Sequence, residues 1–222
     1  MSGFDQAWAA APAAVRRCLE LAHLSLAGGG LAVGAVLVDG AGRVRAEGRN
    51  RAYDGPGGPD ALQGTPLAHA ELNALAAVRT GCDLTGLTLW STQQPCTMCA
   101  AALAFTRVGA VRYLAPDPWA QATGQAPAEP ATAAAGRPAE VDPVWPVAAN
   151  LLFLQSVVDA ADLDHPTVRR NRELEPETGA LLRPPADRAA GGLTELLAAR
   201  WPDLVAAAAA RARRTAGPVG VR

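Results

Sequence analysis

With 222 residues, half of them apolar, the chain is long enough to bury a substantial core as one large domain or as a domain with an appendage. Its 20 basic residues, all of them Arg, stand against 21 acidic ones, which excludes a global electrostatic attraction to nucleic acid and suits a small substrate. No run approaches the roughly 20 uninterrupted apolar residues of a membrane span and no basic-then-apolar signal pattern opens the sequence, so cytoplasmic residence is the expectation.

Residues 4 to 27 read as helical, with Pro12 at a new first-turn position, Val15, Leu19, Ala22 and Leu26 at helical spacing, and Gly28-Gly29-Gly30 as the stop. Leu31 to Val38 is a nearly continuous apolar run. It ends in Asp39-Gly40-Ala41-Gly42 and is followed by an alternating segment from Arg43 to Asn50, so the two make a β-hairpin. A first strand without polar alternation implies burial on both faces, hence helices on both sides of the sheet. Residues 51 to 66 turn to Gly, Pro and Asp, a long connection that reads either as a substrate-covering loop or as a simple solvated linker.

Helical spacing resumes from Leu67 to Thr80, a buried strand follows from Leu87 to Ser91, and a second helix starts near Cys96. Ala110 to Leu114 is another strand, and the alternation indicates a three-layer α/β/α sandwich. Residues 116 to 146 hold much of the proline and read as an extended insertion. Beyond it come an apolar helix from Val147 to Ala161, a polar edge strand from Val168 to Leu174, and two helical pieces between Leu193 and Arg214 split at Trp201-Pro202. Arg211, Arg213 and Arg214 read as a solvated helix end. His23 has a structural or surface role, and Cys18 and Cys82 are expected to be buried thiols.

One stretch carries chemistry. His69-Ala70-Glu71 and Pro95-Cys96-Thr97-Met98-Cys99 bracket a helix and a strand. One imidazole and two thiolates form a three-ligand set for Zn2+ that leaves a coordination position for water. Cys96 and Cys99 are i and i+3 and share a helix face, whose N-terminus keeps thiols ionised. His69 and Glu71, two apart, cannot share a mid-helix face, so the motif requires a helix end at which the imidazole reaches the metal and the carboxylate reaches the water. Glu71 is then the proton carrier and not a ligand. A closed structural site would need a fourth protein ligand, for which His165 is the available histidine.

H-x-E with P-C-x-x-C is a zinc deaminase signature. The sequence resembles the cytidine deaminase superfamily, in particular its branch of tRNA adenosine deaminases and guanine deaminases. Over roughly residues 12 to 115 the resemblance rests on Val33-Gly34-Ala35-Val36-Leu37-Val38, Asn50, Ala68-His69-Ala70-Glu71 and Pro95-Cys96-Thr97-Met98-Cys99-Ala100-Ala101-Ala102-Leu103. Met98 between the cysteines resembles the purine-acting enzymes. By that resemblance Asn50 hydrogen-bonds the substrate ring, and main-chain groups around Ala35 and Glu71 read its edge; by its position alone Asn50 is a strand-end turn residue. Gln94 stands where the branch commonly has Glu, the loop before His69 is longer than usual, and everything after Ala115 diverges. In or beside that divergent part, Trp119 and Trp145 are candidates to stack on a base.

The expected organisation is a zinc deaminase core over 1–115, a Pro/Ala-rich insertion over 116–146, and a mostly helical C-terminal extension over 147–222 packed on the core. The expected function is Zn2+-dependent hydrolytic deamination of a purine-like base, nucleoside or nucleotide, with Glu71 catalytic, His69, Cys96 and Cys99 on the metal, and Asn50, Ala35 and Trp119 on the substrate. The alternatives are a tRNA adenosine deaminase, which the charge balance disfavours although Arg169, Arg170 and Arg172 cluster, a pyrimidine nucleoside or secondary-metabolite amino-heterocycle deaminase, and a zinc-stabilised scaffold that binds a protein through its C-terminal helices. The resemblance also implies a homodimer.

Overall fold

The computed structural model describes residues 3–55, 58, 62–117, 136–184 and 191–216. The chain opens with two helices, α1 (Gly3–Ala10) and α2 (Ala13–Ala27), in place of the single helix read from the sequence. Pro12 divides them. It caps α2 with an extended backbone (φ −53°, ψ 139°), because a proline disfavours the helical conformation in the residue before it and brings no N–H to a preceding turn.

The strands β1 (Gly34–Val38) and β2 (Val44–Arg49) form the expected antiparallel hairpin. Next come α3 (Ala70–Ala76), β3 (Thr88–Gln93), α4 (Thr97–Phe105), β4 (Ala110–Ala115) and the two-residue β5 (Arg137–Pro138). The sheet order is β2-β1-β3-β4-β5. β1 is antiparallel to both neighbours, whereas β3, β4 and β5 run parallel.

Burial along β1 explains the layers. All five of its residues are buried. Ala35 and Leu37 join Ala70, Ala74, Leu89, Leu103 and Val111 on the face covered by α3 and α4, and Val36 and Val38 pack with Ala14, Cys18 and Leu21 of α2 on the other. Alternate strand residues point to opposite faces, so an unbroken apolar run is what a doubly covered strand requires. The α/β/α sandwich expected from the sequence is the fold of the chain.

The second face is completed from the C-terminal half. α5 (Val144–Ala160) begins inside the segment read as insertion, three residues before the expected start at Val147. Its Pro146 lies in the first turn, where no N–H partner is lost. α6 (Pro166–Leu174) replaces the edge strand expected at Val168–Leu174. His165 caps it by accepting the Thr167 N–H at 3.3 Å, Pro166 starts it, and Val168 and Asn171 point inward at helical spacing. Asn171 and Asn150 of α5 exchange amide hydrogen bonds of 3.0 and 3.2 Å, both side chains buried. A short α7 (Pro176–Gly179) leads toward α8 (Leu193–Ala199) and α9 (Trp201–Thr215), the two helical pieces expected around Trp201-Pro202.

An aromatic cluster ties these helices to α1. Trp145 lies 5.6 Å from Trp8 and 5.7 Å from Trp201, and Phe4 packs on both Trp8 and Trp201. Trp145 is therefore a core residue, not a substrate-stacking one. The C-terminal arginines are also not simply solvated, since Arg211 pairs with Glu175 and Arg214 with Glu177. Cys18 is buried as expected, whereas Cys82 is exposed because the turn after α3 ends in Gly81 at positive φ and carries the next residue outward.

Candidate active site

The site forms where two helices start against the sheet. His69 is the N-cap of α3 and Cys96 the N-cap of α4, both with extended backbones, while Glu71 and Cys99 occupy the first turns. This is the helix-end geometry that the two-residue spacing of His69 and Glu71 demands. Gly48 allows it, since a Cβ there would run into the Ala70 carbonyl and the Ala74 amide, and α3 could not lie this close to β2. Asn73 fastens the same corner, donating its side-chain amide to the carbonyls of Arg49 at 2.8 Å and Ala68 at 3.2 Å.

His69, Cys96 and Cys99 converge, with their ligand atoms all within 4.8 Å of one another. The imidazole Nδ1 lies 3.6 Å from the Cys96 sulfur and 3.5 Å from that of Cys99. Bonds of about 2.0 Å from zinc to nitrogen and about 2.3 Å to sulfur, at the tetrahedral angle, would put nitrogen and sulfur about 3.5 Å apart. The donor set and its spacing therefore fit Zn2+. Among the described residues no other group of His, Cys, Asp and Glu is arranged to hold a metal. His165, the candidate fourth ligand of a closed site, is instead engaged at the start of α6.

The electrostatics suit that role. Hydrogen bonding from Cys99 and His69 holds the Cys96 thiol down at about 4, and the helix N-terminus favours its anion further. The Cys96 sulfur and burial push Cys99 up. The same Cys96 sulfur raises the His69 imidazole.

Glu71 is buried, and burial raises its carboxyl above the ordinary range even though its own backbone N–H and the Ser91 hydroxyl favour the anion. Ser91 Oγ donates to Oε1 at 2.9 Å, and Cys99 Sγ donates to Oε2 at 3.5 Å. A carboxyl that holds its proton more readily than usual, beside a metal-type donor set, is suited to take up and return a proton.

The other residues singled out from the sequence lie at varying removes. Asn50 follows β2 and is buried; its side-chain oxygen accepts the Ala52 N–H at 3.1 Å, and its carbonyl accepts the Ser25 hydroxyl at 2.8 Å. The next residue, Arg51, donates its N–H to the Ala68 carbonyl at 2.9 Å, which sets this corner beside His69. Ala35 is opposite Ser91 in the sheet. Trp119 lies outside the described residues. Ser91, Asn73 and Gly48 were not singled out from the sequence. A serine inside a buried strand and an asparagine four residues after a ligand histidine, on the inner face of a helix, are the signals that mark the first two.

Residues 10–115 match the model of the cytidine and deoxycytidylate deaminase zinc-binding region. That segment, just under half of the chain, is similar to the zinc-binding region of this family. The matched region contains every side chain of the cluster, from β1 through α4. The tRNA-specific adenosine deaminase of Haemophilus influenzae is 38% identical over 109 residues, covering 46% of this chain and 57% of that protein. A tRNA:A34 deaminase structure from work on A-to-I editing at the wobble position is 31% identical, over 48% of this chain and 77% of that one, with a TM-score of 0.39. Guanine deaminase from Bacillus subtilis is 30% identical over 50% of this chain and 68% of its own, with a TM-score of 0.37. The chain spans about half the length of the tRNA-specific relatives it matches.

Proposed function

We propose that the chain is a zinc-dependent hydrolytic deaminase that converts a ring amino group of a purine-like base, nucleoside or nucleotide to a carbonyl and releases ammonia. The observation that carries this reading is the buried Glu71 carboxylate beside three metal-spaced donors, with one oxygen held by Ser91 and the other turned toward Cys99. His69, Cys96 and Cys99 would hold the metal. When bound, Zn2+ supplies Lewis acidity that lowers the pKa of a water molecule from 15.7 toward about 7.

The chain's own residues do the proton work. Glu71 takes one proton of the attacking water at Oε2 and delivers it to a ring nitrogen, then takes the remaining proton from the added oxygen and gives it to the departing amine. Water and a C–NH2 group thus become a C=O group and NH3. Asn50 hydrogen-bonds the ring, and main-chain groups around Ala35 and Glu71 read its edge. Trp119 is proposed to stack on the base. The three-part organisation at 1–115, 116–146 and 147–222, the homodimer and the cytoplasmic location belong to the same proposal. Among the described residues no helix is long and apolar enough to cross a membrane.

The kinship with tRNA-specific adenosine deaminases supports a second reading, in which the substrate is an adenosine of tRNA. Against it, Arg211 and Arg214 are committed to glutamates, Arg170 pairs with Glu173, and the net charge is −1. Ammonia release measured over a panel of aminated purines, pyrimidines, their nucleosides and nucleotides, and tRNA separates the readings. Glu71→Gln is expected to lower turnover on the preferred substrate by about 10³-fold while zinc stays bound, the scale of general acid–base catalysis. Near-normal ammonia release from that variant would refute the mechanism.

A further inference from the structure

We infer that Ser91 is a positioning residue that holds Glu71 away from the metal site, keeping the carboxylate a proton carrier and preventing it from becoming a fourth protein ligand. The inference rests on the metal reading above and goes beyond it in assigning a residue of β3.

Ser91 is fully buried in the middle of β3, two residues beyond Leu89 and on the same side of the strand, the side that faces α3 and α4. A buried hydroxyl is costly unless its hydrogen-bonding capacity is used. Here the Gln93 N–H donates to Ser91 Oγ at 3.4 Å, and Ser91 Oγ donates onward to Glu71 Oε1 at 2.9 Å. Gln93 is itself buried and fixed to α5 through the Ala149 carbonyl at 3.5 Å. The hydroxyl is thus used on both sides, accepting from β3 and giving its proton to Glu71.

The second oxygen shows why the anchor matters. Glu71 Oε2 accepts from the Cys99 thiol at 3.5 Å. Once Cys99 serves as a metal ligand it is a thiolate and has no proton to donate. Oε2 then lies beside a cation site without its donor, and a buried carboxylate there is drawn to the cation. Ser91, a neutral donor that metal binding does not consume, holds the far oxygen and so fixes the orientation of the whole group.

The test uses cobalt on the full chain. Metal-free wild type, Ser91→Ala, Glu71→Gln and the double variant are titrated with Co2+, reading the d–d absorption bands, which report the number and type of ligands. Ser91→Ala removes one oxygen from a strand and leaves the backbone pairing intact. Its cobalt spectrum is expected to shift with the carboxylate as an added ligand, and its Co2+ affinity to rise by about tenfold, the scale on which groups hydrogen-bonded around a metal site act. In the Glu71→Gln background the same serine change should have no effect. A wild-type spectrum and affinity in Ser91→Ala, or a shift that persists without the Glu71 carboxylate, would overturn the role of Ser91 alone. A wild-type chain that binds no Co2+ would overturn the metal reading and this inference with it.

Discussion

The two faces of the sheet are built on opposite principles. On one, α3 and α4 are short, begin with a ligand-type side chain at the N-cap, and bring a buried carboxylate, an imidazole and two sulfurs together. On the other, α2 and α5 lie against the sheet with α1, α8 and α9 packed around them, and the contacts are dominated by Val15, Leu19, Leu152, Leu204 and the aromatic cluster around Trp145. One face concentrates polar groups that a cation would relieve. The other is held mainly by exclusion of water, with its buried polar groups paired among themselves, as in Asn150 with Asn171. The comparison teaches that stability and chemistry are largely separable here, linked across the sheet by single hydrogen bonds such as those from the Ser25 hydroxyl of α2 to the Asn50 carbonyl and from the Gln93 amide to the Ala149 carbonyl of α5.

That separation can be broken from either side. The largest effect is expected from Cys99→Ala, which removes a ligand from the first turn of α4. Zinc content measured by elemental analysis after dialysis should fall from about one ion per chain to near zero, since a site with two protein ligands no longer retains the metal. The near-ultraviolet signal of the tryptophan cluster should stay as in wild type. Loss of that signal would show that the two faces are coupled.

Next in size is Trp145→Ala. Truncating a side chain that is 1% exposed and packed edge-on to Trp8 should lower unfolding stability by about 3–5 kcal/mol in a denaturant titration. Zinc content of the folded fraction should be unchanged. A variant that lost zinc while still folded would contradict the separation.

The smallest effect is electrostatic and sharpens the picture of the second face. Hydrogen bonds from Arg214 depress the Glu177 carboxyl, so its folded value lies below its unfolded one. Its contribution is therefore complete above the unfolded value and is lost as pH falls through the depressed folded value, below the ordinary carboxylate range. The pair is largely open to solvent on the arginine side, with 41% of that side chain exposed, which limits it to under about 1 kcal/mol. Glu177→Gln should accordingly narrow the stability difference between neutral and acid pH by that amount and leave the zinc site untouched.

How much of this was legible in the sequence follows the same division. His69, Glu71, Cys96 and Cys99 were readable because metal ligation restricts residue type and spacing together, and the restriction is local. The strand β1 is readable because a doubly buried strand favours an unbroken apolar run, and β2 because its alternation follows directly after a turn. The roles of Ser91 and Gly48 exist only once α3 is laid over β2 and β3; a serine inside a buried strand marks the first as unusual, and nothing beside Gly48 signals the close approach. The helix α6 was misread as a strand because Val168 to Leu174 is mostly polar, and the deciding features are the His165 cap and the Asn171–Asn150 pair, the latter made with a segment 21 positions earlier. Trp145 reads as either a base-stacking or a core residue from sequence, because an aromatic beside proline looks alike in a core and in a pocket until its neighbours are known.

The shared ownership of the second face bears on how the chain matures during synthesis. The family-matching segment ends at residue 115, yet Val15, Leu19 and Leu114 in it are buried together with Val144, Trp145 and Leu152, which lie beyond it. When the ribosome has released only that segment, every donor of the zinc cluster is present, and α2 covers its part of the second face while the part that α5 covers is still bare. The boundary drawn by kinship is thus not a boundary of folding: the emerging segment is a sticky intermediate until α5 arrives, and α1 can lock its aromatic rings only after Trp201 has followed.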